Sequence, residues 1–235
     1  MLTTRQLLCY VRRQSLFKRL VTIRRQPMAI LVKFDSSPMG EHSISRKLTS
    51  QFADSWLKAH SGGTVISRDL TALDLPAVDA AWVAAAFTPE EARTPEQSKL
   101  LSISDGLIAD LLLGDEFVFG VPMHNFSIPS TLKLWIDQVV RAGKTFSYGS
   151  SGPKGLLAGK KAALLIASGG AYEAGSPLAA FNFVTPYLLK VFGFMGITDV
   201  TILPAESTSQ LMNGKVDRQA FLAPLLEKVK THATV

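Results

Sequence analysis

The chain has 235 residues, of which 47% are hydrophobic and 19% are charged, a composition typical of one large folded domain and not of a disordered chain. Its apolar runs fall well short of the roughly 20 residues that cross a bilayer, so we expect a soluble, cytoplasmic protein without a membrane span. The formal charge of +6 arises in residues 1–27, without which 18 basic and 19 acidic residues remain. This balance predicts no nucleic-acid partner.

Residues 1–27 form a basic extension, which we expect to lie outside a single domain at 28–235. Pro27 interrupts any preceding helix, and an apolar run begins at Met28. Three interpretations stay open: an upstream start codon with Met28 as the working start, an Arg-rich organelle-targeting peptide, or a basic arm that contacts membrane or nucleic acid. The single cysteine, Cys9, lies in the extension, so we expect no thiol or zinc chemistry in the domain.

Apolar segments that alternate with amphipathic ones predict the elements of the domain. Strands are predicted within residues 29–35, 61–70, 116–122, 160–170 and 198–206, and helices within 43–60, 98–115, 129–143, 177–197 and 217–232. The buried face of the first helix is predicted to consist of Ile44, Leu48, Phe52, Trp56 and Leu57. The buried face of the third helix is predicted to consist of Leu132, Trp135, Ile136 and Val139. Gly114 is a favourable C-cap.

Residues 75–97 form a long polar connection with prolines. Connections of this length are uncommon in compact domains and are often functional or pack against a partner.

The β-α alternation predicts an α/β domain with a doubly wound, five-stranded parallel sheet and helices on both faces. Ligands bind such sheets beyond the carboxyl ends of the strands, near the point where strand order reverses. Three loops that carry polar or glycine residues follow predicted strands and are therefore expected at this edge.

The first loop places serines around the start of a helix. Free backbone N–H groups and the helix dipole favour an anion there, and the hydroxyls of Ser37, Ser43 and Ser45 add donors suited to a phosphate monoester. Ser43 alone is equally explained as an N-cap. Arg46 either assists the anion or faces solvent. The pattern is neither a P-loop nor a dinucleotide-binding fingerprint.

The second loop runs between two prolines, Pro122 and Pro129. It contains Met123, His124, Asn125 and Phe126. Backbone amides beside apolar groups suit a flat heteroaromatic ring. The alternative is an ordinary turn in which Asn125 makes a local cap and Phe126 packs in the core.

The third loop follows the fourth predicted strand and contains Ser168, Gly169 and Gly170. The two glycines either allow a ligand to approach the backbone closely or only permit a tight turn.

The three loops together carry a family resemblance. The segments "SSPMGEHSIS", "PMHNFSIPSTLKLWID" and "SGGAY", at residues 36–45, 122–137 and 168–172, resemble motifs of the FMN-dependent NADH azoreductase/quinone reductase family. The second motif is long and specific, whereas the other two are degenerate. The similarity extends from about residue 28 to the last helix. Many members have tyrosine where this chain has His124, and some have an arginine before the two glycines.

The resemblance implies a flavodoxin-like homodimer with one FMN per subunit near the dimer interface. By position, Ser37, Ser43, Ile44 and Ser45 hold the FMN phosphate; Met123, His124, Asn125 and Phe126, with Pro122 beside them, line the isoalloxazine; and Ser168, Gly169 and Gly170 contact its pyrimidine end.

The implied reaction is a ping-pong, two-electron transfer from NADH or NADPH to a quinone or an azo compound. The flavin carries the chemistry, so no catalytic side chain is required, although His124 is a candidate proton donor. Two other functions stay open. One is a flavodoxin-type electron carrier without substrate turnover, but such carriers are shorter and more acidic. The other is a nucleotide-binding regulatory module.

Overall fold

The computed structural model describes residues 29–150, 152–212 and 214–234, so the expectations for residues 1–27 lie outside the described residues. The strands are β1 (Ile30–Asp35), β2 (Thr64–Asp69), β3 (Glu116–Pro122), β4 (Phe146–Gly149), β5 (Gly152–Gly155), β6 (Lys161–Ala167) and β7 (Asp199–Ala205). The helices are α1 (Ile44–Ala59), α2 (Ala80–Phe87), α3 (Pro95–Leu113), α4 (Ser130–Val139), α5 (Thr185–Met195), α6 (Ser209–Met212) and α7 (Arg218–His232).

Five of the strands form one parallel sheet in the order β2-β1-β3-β6-β7. The chain steps from β1 to β2 on one side and then returns to place β3 on the other side of β1. Strand order therefore reverses between β1 and β3, where a ligand crevice is expected in this type of sheet. The predicted doubly wound, five-stranded architecture is confirmed.

Each face of the sheet has its own hydrophobic core. One core joins Phe34 and Phe119, whose rings stack with centroids 4.6 Å apart, to residues of α3, α4 and α5. The other joins Leu31 and Val118 to residues of α1 and α7. Helices thus cover both faces, because successive side chains of a strand point to opposite sides.

Some local expectations were wrong. Leu57 is 42% exposed, because it lies about 100° around α1 from the buried Trp56. Residues 177–184 are not α-helical. Residues 179–181 form a short 3-10 helix, and the Asn182 side chain then accepts from the N–H groups of Val184 and Thr185 just before α5 begins at residue 185.

Gly114 does follow α3 as its C-cap, but its φ is −66°. Glycine is required there by packing and not by a left-handed turn, since a Cβ would lie 2.7 Å from Phe117 and from Val32.

The connection at residues 75–97 contains α2, which the sequence did not predict. Asp79 caps this helix by accepting from Trp82 N at 2.7 Å. The Trp82 ring is buried and donates from Nε1 to Gln138 Oε1 on α4 at 3.0 Å. The connection therefore packs against the domain itself. The antiparallel hairpin β4–β5 was also missed. In the described residues, no helix has both the length and the apolar character needed to cross a membrane.

Candidate functional site

The three predicted loops meet at the carboxyl edge of three adjacent strands. The loop after β1 is tied to β3, because Ser36 donates from N and Oγ to Gly120 O at 3.2 and 2.8 Å. The loop after β3 is tied to β6, because Met123 N donates to Ala167 O at 2.7 Å. Ser168 begins the third loop directly beyond β6. The site residues predicted from three distant segments thus share one edge of the sheet.

The first loop surrounds the N-terminus of α1 with buried hydroxyl groups. Ser37, Ser43 and Ser45 are 2%, 5% and 1% exposed. Ser43 is the N-cap: its Oγ accepts from Arg46 N at 3.2 Å and lies 3.2 Å from Ser45 Oγ. The N–H groups of Ile44 and Ser45 belong to the first turn, where a helix supplies no acceptor of its own. This arrangement can bind an anion through neutral donors and the helix dipole.

Arg46 neither faces solvent nor is free to bind an anion. Its guanidinium donates to both Asp69 carboxylate oxygens, at 2.8 and 2.7 Å, and its Nε and Nη2 donate to Ser37 O at 2.8 and 2.6 Å. The hydrogen bond from Arg46 is the main reason that the pKa of Asp69 falls to about 2. Arg46 therefore braces the first loop against the end of β2.

The second loop is a tight turn with unfavourable backbone angles. His124 N donates to Ser127 O at 2.9 Å and Ser127 N donates to His124 O at 3.0 Å, so Asn125 and Phe126 occupy the corner. Their φ values are +47° and +71°, as in a type I′ turn. Asparagine tolerates this region, whereas phenylalanine is rarely found there. Such strain is of order 1–3 kcal/mol per residue and is concentrated at functional sites.

The surroundings of this turn are aromatic and accessible. Phe126 is 44% exposed, so the alternative in which it packs in the core is wrong. Its ring centroid lies 5.2 Å from that of Phe181 and 6.4 Å from that of Tyr172. Phe183 N donates to Phe126 O at 3.1 Å and so holds the strained residue in place. The turn presents an apolar ring beside exposed His124 and Asn125.

The third loop is held by a segment that the sequence motifs did not include. Residues 207–209, which follow β7, donate five hydrogen bonds to the carbonyl oxygens of Ser168, Gly169 and Gly170, at distances of 2.7 to 3.3 Å. Ser207 has a φ of +59°. The run "ESTS" at 206–209 was the available signal, because hydroxyl residues after a strand end often bond nearby backbone.

The glycines of the third loop are not there for a left-handed turn, since neither has a positive φ. A Cβ on Gly169 would meet only Ser209, at 4.0 Å, whereas a Cβ on Gly170 would lie 3.0 Å from Leu178 and 3.2 Å from Tyr172. The Gly169 backbone is therefore open to a ligand, and Gly170 lets two apolar side chains lie close to the chain.

Strand order and the position of these loops define a flavodoxin-like α/β protein. The profile of a family described as having a flavodoxin-like fold matches residues 30–231. A protein from Acidobacterium capsulatum named FMN-dependent NADH:quinone oxidoreductase is 52% identical over 206 residues, which are 88% of this chain and 100% of that protein.

Solved structures agree. An azoreductase from Bacillus anthracis str. Sterne superposes with a TM-score of 0.79 at 31% identity, over 88% of this chain and 99% of the other. An FMN-dependent NADH-azoreductase from B. anthracis str. Ames Ancestor, in complex with FMN, superposes with a TM-score of 0.77 at 25% identity. The match covers 87% of this chain and 98% of the other. The chain belongs to the flavodoxin-like family of FMN-dependent NADH:quinone oxidoreductases and azoreductases, which confirms the predicted resemblance.

Proposed function

We propose that the protein is an FMN-dependent oxidoreductase that transfers two electrons from NADH to quinones and azo compounds. The observation that carries the proposal is the convergence of an anion-binding helix start, a strained aromatic turn and an open glycine loop on adjacent strands. These three features fit the three parts of FMN: its phosphate, the face of its ring and the polar edge of that ring. The reaction is inferred from the relatives, which are named as an FMN-dependent NADH:quinone oxidoreductase and an azoreductase.

The phosphate of FMN would be held by Ser37, Ser43, Ile44 and Ser45. The fit is supported by buried hydroxyls beside free first-turn N–H groups, because both kinds of donor bind phosphate oxygens without an added positive charge. The rigid Arg46 brace keeps Ser37 beside the helix start.

The isoalloxazine ring would be lined by Met123, His124, Asn125 and Phe126, with Pro122 beside them. The turn's own hydrogen bonds join His124 and Ser127, so they do not use the N–H groups of Asn125 and Phe126, which would donate to ring nitrogen and carbonyl groups. Ser168, Gly169 and Gly170 would bind the pyrimidine end. The carbonyl oxygens of these three residues already accept from residues 207–209, and Ser168 N donates to Ala205 O at 3.0 Å, which leaves the N–H groups of Gly169 and Gly170 for the ring.

When bound, FMN would accept two electrons from NADH and later deliver them to the acceptor, in the ping-pong order expected for one shared site. The chain's own residues would bind and orient both substrates in turn. His124 is exposed at the rim of the strained turn. It would line the ring through its backbone, and its imidazole is available to donate a proton to the acceptor.

A homodimer is the second part of the proposal. It is supported by a groove of about 390 Å³ between α4 and α5, which is lined by Ile136, Val140, Tyr187, Val191 and Phe194 together with Asp137 and Lys190. Phe194 in this groove is 37% exposed, and a contiguous exposed apolar surface is typical of one that another protein covers. Light scattering on the purified protein should give twice the chain mass; the chain mass alone would contradict the dimer.

The test of function is steady-state kinetics after FMN reconstitution. We expect NADH oxidation that depends on FMN and on menadione or a simple azo dye, with parallel double-reciprocal lines when both substrates are varied. Binding of FMN without turnover would instead favour the electron carrier. No binding of FMN would favour a regulatory module.

A further inference from the structure

A lysine–aspartate pair lies in β1 directly before the proposed phosphate loop, with Asp35 buried and Lys33 partly buried. Lys33 Nζ lies 2.7 Å from Asp35 Oδ2, and the two side chains are 16% and 6% exposed. Asp35 Oδ1 accepts from Thr49 Oγ1 at 2.6 Å, and Thr49 is fully buried on α1. Asp35 is therefore held from both sides, by Lys33 and by Thr49.

This carboxylate lies close to the groups that would hold the phosphate. Asp35 directly precedes the loop in the sequence. Both Asp35 and α1 lie close to Gly120 of β3, since a Cβ on Gly120 would lie 3.0 Å from Asp35 Oδ1 and 3.2 Å from Ser45 O. Asp69 is the main cause of the raised pKa of Arg46, and the charge of Asp35 contributes to it. The field of Asp35 therefore extends into the loop.

A buried negative charge at this place opposes the binding of a phosphate dianion, because like charges interact strongly where water is excluded. The charge of Arg46 is already paired with that of Asp69, and its donors are bonded to Asp69 and Ser37. Among the described residues, Lys33 is the cation paired with Asp35.

We propose that Lys33 is a positioning residue of the phosphate site, which cancels the charge of Asp35 and so allows a dianionic phosphate to lie at the start of α1. The inference rests on the proposed function. It predicts that Lys33 matters for the phosphate of the cofactor and not for its ring.

The experiment compares two flavins on the full-length apoprotein, by quenching of flavin fluorescence. Riboflavin has the ring of FMN and lacks the phosphate. We expect Lys33→Met to raise the Kd of FMN at least tenfold and the Kd of riboflavin less than twofold. The double variant Lys33→Met/Asp35→Asn should return the Kd of FMN to within threefold of wild type, because the uncompensated charge is gone. Lys47→Met, which removes an exposed lysine of α1, controls for loss of one charge and should change the Kd of FMN less than threefold.

Equal weakening of FMN and riboflavin by Lys33→Met, or no weakening of either, would overturn the proposal. Failure of the double variant to restore FMN binding would do the same. If circular dichroism shows that Lys33→Met does not fold, the single variant Asp35→Asn tests the proposal instead. It should bind FMN at least threefold more tightly than wild type, with riboflavin binding unchanged. Weaker or unchanged FMN binding would contradict the inference. A wild-type protein that binds FMN no better than riboflavin would refute the proposed phosphate site itself.

Discussion

The loop after β1 and the turn after β3 meet at one edge of the sheet, but they are stabilised in opposite ways. The first loop is relaxed and internally bonded: Ser43 caps α1, and Arg46 bonds to both Ser37 and Asp69. The turn holds Asn125 and Phe126 at positive φ with Phe126 exposed. A relaxed loop suits a phosphate that needs a rigid frame of donors. A strained turn suits a ring whose contacts must be aimed by the backbone.

The contrast teaches that the two loops should respond differently to substitution. Changes that break the hydrogen bonds of the first loop should lower stability and cofactor binding together, because the same bonds serve both. Changes in the turn should separate the two properties, because its strained geometry opposes stability.

The largest effect is expected where α1 packs against β3. Gly120→Ala should lower the free energy of unfolding by about 2 kcal/mol, because the added methyl group overpacks against Asp35, Thr49 and the Ser45 backbone. The matched control is Gly106→Ala in α3, where a Cβ meets nothing within 4 Å, and it should raise stability by about 0.5–1 kcal/mol. Urea denaturation measures both; equal effects would contradict the close approach of α1 to β3.

Arg46→Met should lower the free energy of unfolding by about 1–2 kcal/mol at pH 7, since charged hydrogen bonds are lost but Asp69 is 39% exposed and partly screened. The pKa of Asp69 is lowered to about 2 in the folded protein, so this stabilisation is present above about pH 4 and disappears as the pH falls toward 2. Urea denaturation of both proteins at several pH values should show the difference shrinking in that window; a constant difference would contradict it.

The matched control for this change is Arg68→Met, because Arg68 makes the same two-bond contact with Asp110, at 2.6 and 2.8 Å, away from the loop. Both variants should lose stability. Only Arg46→Met should also weaken FMN binding.

In the turn, Phe126→Gly should be more stable than Phe126→Ala by about 1 kcal/mol, because alanine retains the left-handed strain and glycine does not. Both should weaken flavin binding. Thermal unfolding of the apoproteins checks the order of stability, and an alanine variant as stable as the glycine variant would show that the turn is not strained.

The smallest effect is expected for Ser209→Ala, which removes an exposed hydrogen bond of 2.7 Å to Gly169 O. Stability should fall by about 0.5 kcal/mol, and riboflavin binding should weaken two- to fivefold. Ser102→Ala removes a similar exposed bond, to Lys99 O at 2.7 Å, and should leave riboflavin binding unchanged. Equal riboflavin affinities for the two variants would show that the hydrogen bonds from residues 207–209 do not support the flavin site.

The sheet and the position of the loops were predictable from the sequence because they depend on local patterns. Buried parallel strands appear as continuous apolar runs, and the apolar spacing of Leu132, Trp135, Ile136 and Val139 gives the buried face of α4. The long motif around residues 122–137 fixed the family. The roles of the site residues and the separation of residues 1–27 from the domain stay predictions.

The rest could not be predicted because it depends on tertiary contacts between distant segments. The Arg46–Asp69 brace spans 23 positions and the bonds from residues 207–209 to the third loop span about 40. Whether Phe126 packs in the core or lies at the surface was undecided from its type alone. Only the folded chain shows that Phe183 holds it at a positive φ and partly exposed.

Hydrogen–deuterium exchange with and without FMN tests the location of the cofactor most directly. We predict slower exchange on FMN binding in the loops at residues 36–46, 122–128 and 168–172, and no change in the hairpin formed by β4 and β5. Unchanged exchange in all three loops, with protection elsewhere in the chain, would contradict the account.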